Sequence, residues 1–239
     1  MLTIMCVSPI FKMCINFHVY LCLFRKSANS LSSFKQDLFA AGTDTSIVTV
    51  EWALAMLLAN PDKMELVQNE LTKVIGNKEC VDISNLPDLL YLSAVIKETM
   101  RMHPVFPLLV PHRLRQSCKL LGYDILADTQ VFVNVWAIGH DPNVWDNPLK
   151  FRPERFLDSD KTSAIKENFS FLPFGSGKRI CPGLPLAVLN VEFVLASLLH
   201  SFKWEACGEQ KLNELFGTVT KLEKPLVAKV YPKLPLQIQ

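Results

Sequence analysis

The chain has 239 residues, about half of them apolar, and a net charge of only +2, which is enough apolar sequence for a sizeable core in one large domain or two small ones. So even a charge balance lacks the electrostatic footprint of a nucleic-acid-binding protein. Seven cysteines at irregular spacing argue against a disulfide framework and for a reducing compartment.

The first 24 residues are apolar-rich and end at Arg25-Lys26, with Lys12, Asn16 and His18 interrupting them. A bilayer crossing needs about 20 predominantly apolar residues, so this stretch matches an anchor or signal weakly and reads better as a poorly ordered tail. The Ser/Asn-rich stretch 27–34 reads as a linker, placing a boundary between a segment 1–33 and a folded part 34–239. Residues 35–60 are strongly apolar and free of proline until Pro61, which predicts a long buried helix. Inside it lies Ala40-Ala41-Gly42-Thr43-Asp44-Thr45-Ser46, a cluster of mediocre helix formers whose hydroxyls can bond back to the preceding turn. Such a local conflict marks either a simple kink or a functional site.

Residues 61–76 predict an amphipathic helix stopped by Gly76, and 81–87 a loop. A second helix over 88–102 carries an apolar stripe of Leu89, Leu92, Ile96 and Met100, with Glu98 and Arg101 on the other side. By itself that pair is an ordinary exposed ion pair one turn apart, worth about 0.2–0.5 kcal/mol. The proline-punctuated run from His103 to His112 reads as extended chain. Short strands are expected over 119–125 and 130–135, then again over 203–205 and 226–236, with a turn at Phe216-Gly217-Thr218-Val219.

The densest signal is Pro173-Phe174-Gly175-Ser176-Gly177-Lys178-Arg179-Ile180-Cys181-Pro182-Gly183. Its glycines imply a tight turn or a close approach of something large. An apolar helix follows over 184–200, with Pro182 suited to its first turn, so Cys181 would sit at a helix N-terminus where a thiolate is favoured. No Cys or His at zinc spacing accompanies it, so any metal must bring its other ligands. A haem does so, leaving one axial position for sulfur. For Cys181-Pro182-Gly183 alone, a buried free cysteine in a glycine turn is an equally simple account.

The full pattern Phe174-x-x-Gly177-x-Arg179-x-Cys181-x-Gly183 resembles the haem-ligand signature of the cytochrome P450 monooxygenases. The oxygen-helix motif around Gly42, the Glu98-x-x-Arg101 pair and Phe151-Arg152-Pro153-Glu154-Arg155-Phe156 stand upstream in that family's order. Val133-Asn134-Val135-Trp136-Ala137-Ile138-Gly139 and the residues after Cys181 are similar to plant microsomal members of the geraniol-hydroxylase and N-methylcoclaurine-hydroxylase groups. The resemblance implies a mainly α fold with small β-sheets (α+β), the C-terminal haem-binding half of the family's fold. It also implies haem b with Cys181 as axial ligand, O2 as co-substrate and electrons from NADPH through a reductase.

Residue by residue, it implies that Phe174, Gly175, Gly177, Arg179, Gly183, Ala41 and Gly42 face the haem, with His112 and Arg179 as propionate partners. A surface histidine is an equally good account of His112. Asp44 and Thr45 match the acid and alcohol that relay protons in a pocket otherwise kept dry. Ala41, Thr45, Val105, Phe106, Leu108, Leu109, Thr218 and Val219 would touch a small apolar substrate. Glu98, Arg101 and Arg155 would form a buried structural triad. Family members are much longer and sit on the cytosolic face of the endoplasmic reticulum membrane through an anchor not recognisable here. The chain therefore reads as a C-terminal half, either part of a hydroxylating enzyme of terpenoid, alkaloid or phenolic metabolism, or a non-catalytic remnant that binds haem poorly or acts only through partner contacts. Gln116-Ser117 departs from the acidic pair usual in relatives, with no catalytic role put in doubt.

Overall fold

The computed structural model describes residues 3–6, 30–76, 80–157, 169–208, 211–217 and 219–233. Helix α1 (Ser30–Ala59) is the longest element. Its stretch Trp52-Ala53-Leu54-Ala55-Met56-Leu57-Leu58 is apolar on every side and buried on every side, as a helix surrounded by partners must be. The helix begins before the predicted start, so residues 30–33 are helical rather than a linker. Extending a formed helix through serine costs far less than starting a new one. Asn60 closes α1 by donating its side-chain amide to the Met56 carbonyl at 2.7 Å.

Pro61, which lacks the N–H that a first helical residue leaves unpaired, opens α2 (Pro61–Ile75). Met64, Val67, Leu71 and Ile75 form its buried stripe, and Gly76 ends it at φ 66° with its N–H on the Thr72 carbonyl. The predicted loop at 81–87 is a 3-10 helix, Ile83–Asp88, because Asp82 and Asn85 cap its backbone reciprocally. Helix α3 (Leu90–Met102) is held at its start by Glu70 of α2, whose carboxylate accepts from the backbone N–H groups of Tyr91 (2.6 Å) and Leu92 (2.9 Å). A negative charge thereby meets unpaired amides at a helix N-terminus.

After α3 the chain is extended, then forms β2 (His112–Arg113), β3 (Cys118–Leu120), β4 (Tyr123–Ile125) and β5 (Gln130–Val131). The pairs β2–β5 and β3–β4 are antiparallel. Leu121 and Gly122 turn the β3–β4 hairpin with φ of 52° and 86°, the doubly positive pattern that matches strand twist. The strand predicted over 130–135 stops at Val131. Asn134 accepts from the Ala137 N–H at 2.9 Å and so starts a short helix, α4 (Val135–Gly139).

Helix α5 (Leu184–Ser201) packs on α1, α2 and α3 through Val191, Leu195, Ala196 and Leu199. Among the described residues it is the helix long and apolar enough to cross a membrane, a length and composition that core helices share. Gly183 is its N-cap and Pro185, not Pro182, occupies its first turn. Strand β6 (Phe202–Ala206) follows directly, and β7 (Glu214–Leu215) pairs with β8 (Lys221–Leu222). Strand β9 (Val227–Pro232) lies between β6 and β1 (Thr3–Cys6), both antiparallel to it. Residues 3–6 of the expected N-terminal tail are therefore a strand registered Thr3 to Val230, and the remainder of the weak anchor candidate lies outside the described residues. The result is helix-rich with small sheets. One core joins Trp52, Leu57, Val67, Leu71, Leu92, Val95, Leu195 and Leu199.

Candidate active site

The cysteine loop is shaped by its glycines. Gly175 and Gly177 hold φ of 71° and 68°, a region other residues enter at a penalty. A Cβ on Gly177 would meet nothing within 4 Å, so backbone conformation rather than crowding demands glycine there. The loop closes where the Cys181 N–H donates to the Phe174 carbonyl at 3.0 Å and the Gly175 N–H to Leu172 at 3.1 Å. Gly177–Arg179 form one 3-10 turn. The Cys181 thiol is free and partly exposed, and a Cβ on Gly183 would lie in ordinary contact with its Sγ, at 3.8 Å. Cys181 stands two residues ahead of the α5 N-cap, its carbonyl accepting from the Leu184 N–H at 3.4 Å.

Among the described residues no three His, Cys, Asp or Glu side chains are grouped to hold a metal ion. A metal at Cys181 would have to arrive with its other ligands already in place. A partly exposed lone thiol on a glycine-shaped loop therefore fits the single axial position that a haem leaves open.

The extended segment after α3 reaches this loop. Leu109 holds φ 52°, and its Cδ1 lies 3.8 Å from where a Cβ of Gly175 would stand. Val105, Phe174 and Val219 all pack against the common core, and the Val105 carbonyl accepts from the Thr220 N–H at 2.9 Å. Leu109 is thus placed beside Gly175, and Val105 is tied to the segment that carries Val219. Phe106 is half-buried and Leu108 is exposed. Thr218 lies outside the described residues. His112 and Arg179 are both exposed, His112 on the short strand β2.

The other motif lies on α1, before its buried stretch. Ala41 and Gly42 are exposed, and Asp44 and Thr45 half-exposed. The hydroxyls of Thr43, Thr45, Ser46 and Thr49 all donate to the carbonyl four residues earlier, at 2.7, 2.6, 3.1 and 2.8 Å. The expected back-bonding is present at every one of these side chains.

Glu98 and Arg101 are fully buried, so the exposed-pair account of their spacing fails. Arg101 binds Glu98 in a fork, Nε to Oε2 at 2.8 Å and Nη2 to Oε1 at 2.9 Å. Arg155 Nε donates to Oε1 at 3.0 Å, and the Arg152 N–H adds a further donor at 2.9 Å. The remaining guanidinium N–H groups reach the carbonyls of Gly139 and Pro148 from Arg101, and of Asp146, Asn147 and Lys150 from Arg155.

Trp145 supports this knot without having stood out in the sequence. Its ring faces both guanidinium groups, at 5.3 Å from Arg101 and 5.8 Å from Arg155, a cation–π arrangement. It also contacts Phe156, which contacts Phe171 at the approach to the cysteine loop. A lone tryptophan among Asp, Asn and Pro was the available signal. Gly139 was equally silent, although a Cβ there would stand 2.5 Å from the Arg101 carbonyl oxygen. Beside the knot, Glu154 accepts from Lys63 Nζ and Tyr91 Oη, each at 2.8 Å. Burial and that carboxylate push the Tyr91 phenol well up.

The family model for Cytochrome P450 matches residues 26–230. The chain belongs to the cytochrome P450 family. Among curated relatives, this P450 chain is 49% identical over 207 residues to Cytochrome P450 76C2 of Arabidopsis thaliana, covering 84% of this chain and 40% of the relative. It is 46% identical over 197 residues to Geraniol 8-hydroxylase of Catharanthus roseus, covering 80% and 40%. A solved zebra fish cytochrome P450 with Abiraterone superposes with a TM-score of 0.76 at 37% identity, covering 83% of this chain and 47% of that one. The chain thus spans about two-fifths of the length of the curated relatives it matches.

Proposed function

We propose that this P450 chain carries the haem-thiolate centre of a monooxygenase that inserts one oxygen atom of O2 into a C–H bond of a small apolar specialised metabolite, a terpenoid, alkaloid or phenolic. The observation that carries the reading is the free, partly exposed Cys181 thiol on a loop closed by the Phe174 carbonyl and shaped by Gly175 and Gly177. Haem b, when bound there, supplies the redox chemistry that activates O2, and a thiolate ligand favours O–O cleavage.

The residues of the chain do the rest. Cys181 Sγ would hold the haem iron, and Phe174, Gly175, Gly177 and Gly183 shape the loop around it. Arg179 and His112 carry the exposed donors suited to the cofactor's carboxylates. Thr45 Oγ1 and the Asp44 carboxylate hold and pass a proton, with Ala41 and Gly42 keeping side-chain bulk out of their way. Val105, Phe106, Leu108, Leu109 and Val219, together with Thr218, exclude water and orient the apolar substrate. Electrons come from NADPH through a reductase, and the site of action is the cytosolic face of the endoplasmic reticulum membrane. The similarity to Geraniol 8-hydroxylase supports the terpenoid class.

A second reading is favoured by the apolar side chains left exposed at Phe39 (55%), Leu108 (45%) and Phe132 (51%). In this reading such side chains would be covered by another polypeptide, and the chain would act through partners without turnover. One measurement separates the two: residues 1–239 are loaded with haem, reduced and exposed to carbon monoxide. The red-shifted band of a thiolate-ligated ferrous carbonyl, absent in Cys181→Ser, supports the first reading. An imidazole-type band or no retained haem rejects it and leaves the second.

A further inference from the structure

His103 follows directly on α3 and faces two elements at once. Its ring lies flat on the fully buried Trp52 indole, centroids 3.8 Å apart and planes within 5°. Its Nδ1–H donates to Glu214 Oε1 at 2.7 Å, and the two side chains are only 12% and 15% exposed. Glu214 begins the β7–β8 hairpin, registered against Leu222. The other arm of that hairpin returns to the same indole, because Trp52 Nε1–H donates to the Thr220 carbonyl at 3.3 Å. Thr220 is buried, and its own N–H is held by the Val105 carbonyl.

The contacts close a ring from Trp52 to His103, to Glu214, through the hairpin to Thr220 and back to Trp52. Three walls of the proposed pocket hang on it. Trp52 lies about two helical turns along α1 from Thr45 and so on the same side of the helix. Val105 is bonded to Thr220, and Val219 precedes it. A stacked ring with a mostly buried, short hydrogen bond to a carboxylate is stiff, since neither partner can turn without losing the other.

We propose that His103 is a positioning residue that fixes the spacing between the Thr45, Val105 and Val219 walls, and thereby selects which carbon of a small apolar substrate is presented for oxidation. The inference rests on the monooxygenase reading above. The side-chain contacts of His103 and Glu214 run to each other and to Trp52, so slackening the ring changes substrate placement and leaves the thiolate centre intact.

The test uses haem-loaded residues 1–239 with an NADPH-dependent reductase and geraniol as probe. His103→Phe keeps the stacked ring and loses the hydrogen bond. Glu214→Ala removes the acceptor, and Glu214→Gln retains an acceptor oxygen. In His103→Phe and Glu214→Ala, amide hydrogen exchange across 211–223 is expected to quicken by about tenfold or more while α3 stays protected. The ratio of oxygenated geraniol isomers shifts with it, and the thiolate spectrum is unchanged. Glu214→Gln restores both quantities toward wild type. Unchanged exchange overturns the proposal, and so does faster exchange with an unaltered isomer ratio or no rescue by Glu214→Gln. A wild-type chain without the thiolate spectrum or without product defeats the monooxygenase reading itself, and hydrogen exchange still reports whether the ring of contacts holds the hairpin.

Discussion

Glu98 and Arg155 meet through a 3.0 Å hydrogen bond from Nε to Oε1 across a separation of 57 residues, with side-chain exposures of 0% and 2%. Arg101, on the same helix as Glu98, binds both carboxylate oxygens, so one buried acid joins α3 to the chain that leads toward the cysteine loop.

Removing Arg155 takes one of two guanidinium partners from the buried Glu98 carboxylate and withdraws the donor from the carbonyls of Asp146, Asn147 and Lys150. Arg155→Ala is expected to lower the unfolding free energy by about 3–5 kcal/mol, the usual result of breaking a buried pair from one side. Arg155→Lys recovers little, because an ammonium cannot replace the fan of contacts to Asp146, Asn147 and Lys150. Urea unfolding measures both, and a loss below about 1 kcal/mol would give the pair the value of an exposed one.

Gly139→Ala tests the same knot from its far side. The new Cβ would stand 2.5 Å from a backbone oxygen of Arg101, and backbone yields less readily than a side-chain tip. A loss of about 1–3 kcal/mol is expected from such overpacking, read as a lower urea midpoint with an unchanged slope.

Thr45→Ala should leave the fold alone, since alanine is the better helix former and the lost contact is a local back-bond. In the haem-loaded chain with reductase, the expected outcome is more hydrogen peroxide per NADPH consumed, with Thr45→Ser close to wild type. Unchanged coupling in Thr45→Ala removes the hydroxyl from the proton relay.

Glu51 gives a pH test. Burial raises its carboxyl above the ordinary value, against the opposing hydrogen bond from the Leu226 N–H and the charge of Lys221. A raised native value means the folded state holds the proton more tightly than the unfolded one. Its stabilising contribution is full below the ordinary glutamate pKa and is lost as pH rises through the native value. Glu51→Gln keeps an acceptor for Leu226, so it should be near neutral in acid and more stable than wild type at neutral pH. A constant difference between the two proteins from pH 4 to pH 7.5 would refute the assignment.

Much of this was readable in the chain because it is local. Pro61 and Gly76 bracket α2, and the apolar run after Cys181 gives α5. The spacing of Phe174, Gly177, Arg179 and Cys181 isolates the loop before any fold is known. Short elements were less legible: Asn134 ends the β5 region and Asp82 makes a 3-10 helix through single side-chain caps, which hydrophobic periodicity does not register. Spacing alone made Glu98 and Arg101 an exposed pair, and only the family resemblance pointed to a buried triad, since their burial depends on Arg155 and on the carbonyls of Gly139 and Pro148 far along the sequence. Trp145 and the Trp52–His103 stack are likewise products of tertiary contact, and single-residue propensity is silent about both.

The four back-bonded hydroxyls of α1 have a further consequence. Thr43, Thr45, Ser46 and Thr49 each rest a proton on their own helix, so these four donors are already occupied within α1. Turning one side-chain torsion swings such a hydroxyl outward, and the forfeited hydrogen bond is worth only about 1 kcal/mol net. Each of these hydroxyls is thus a donor that a single side-chain torsion can release, with no movement of the backbone.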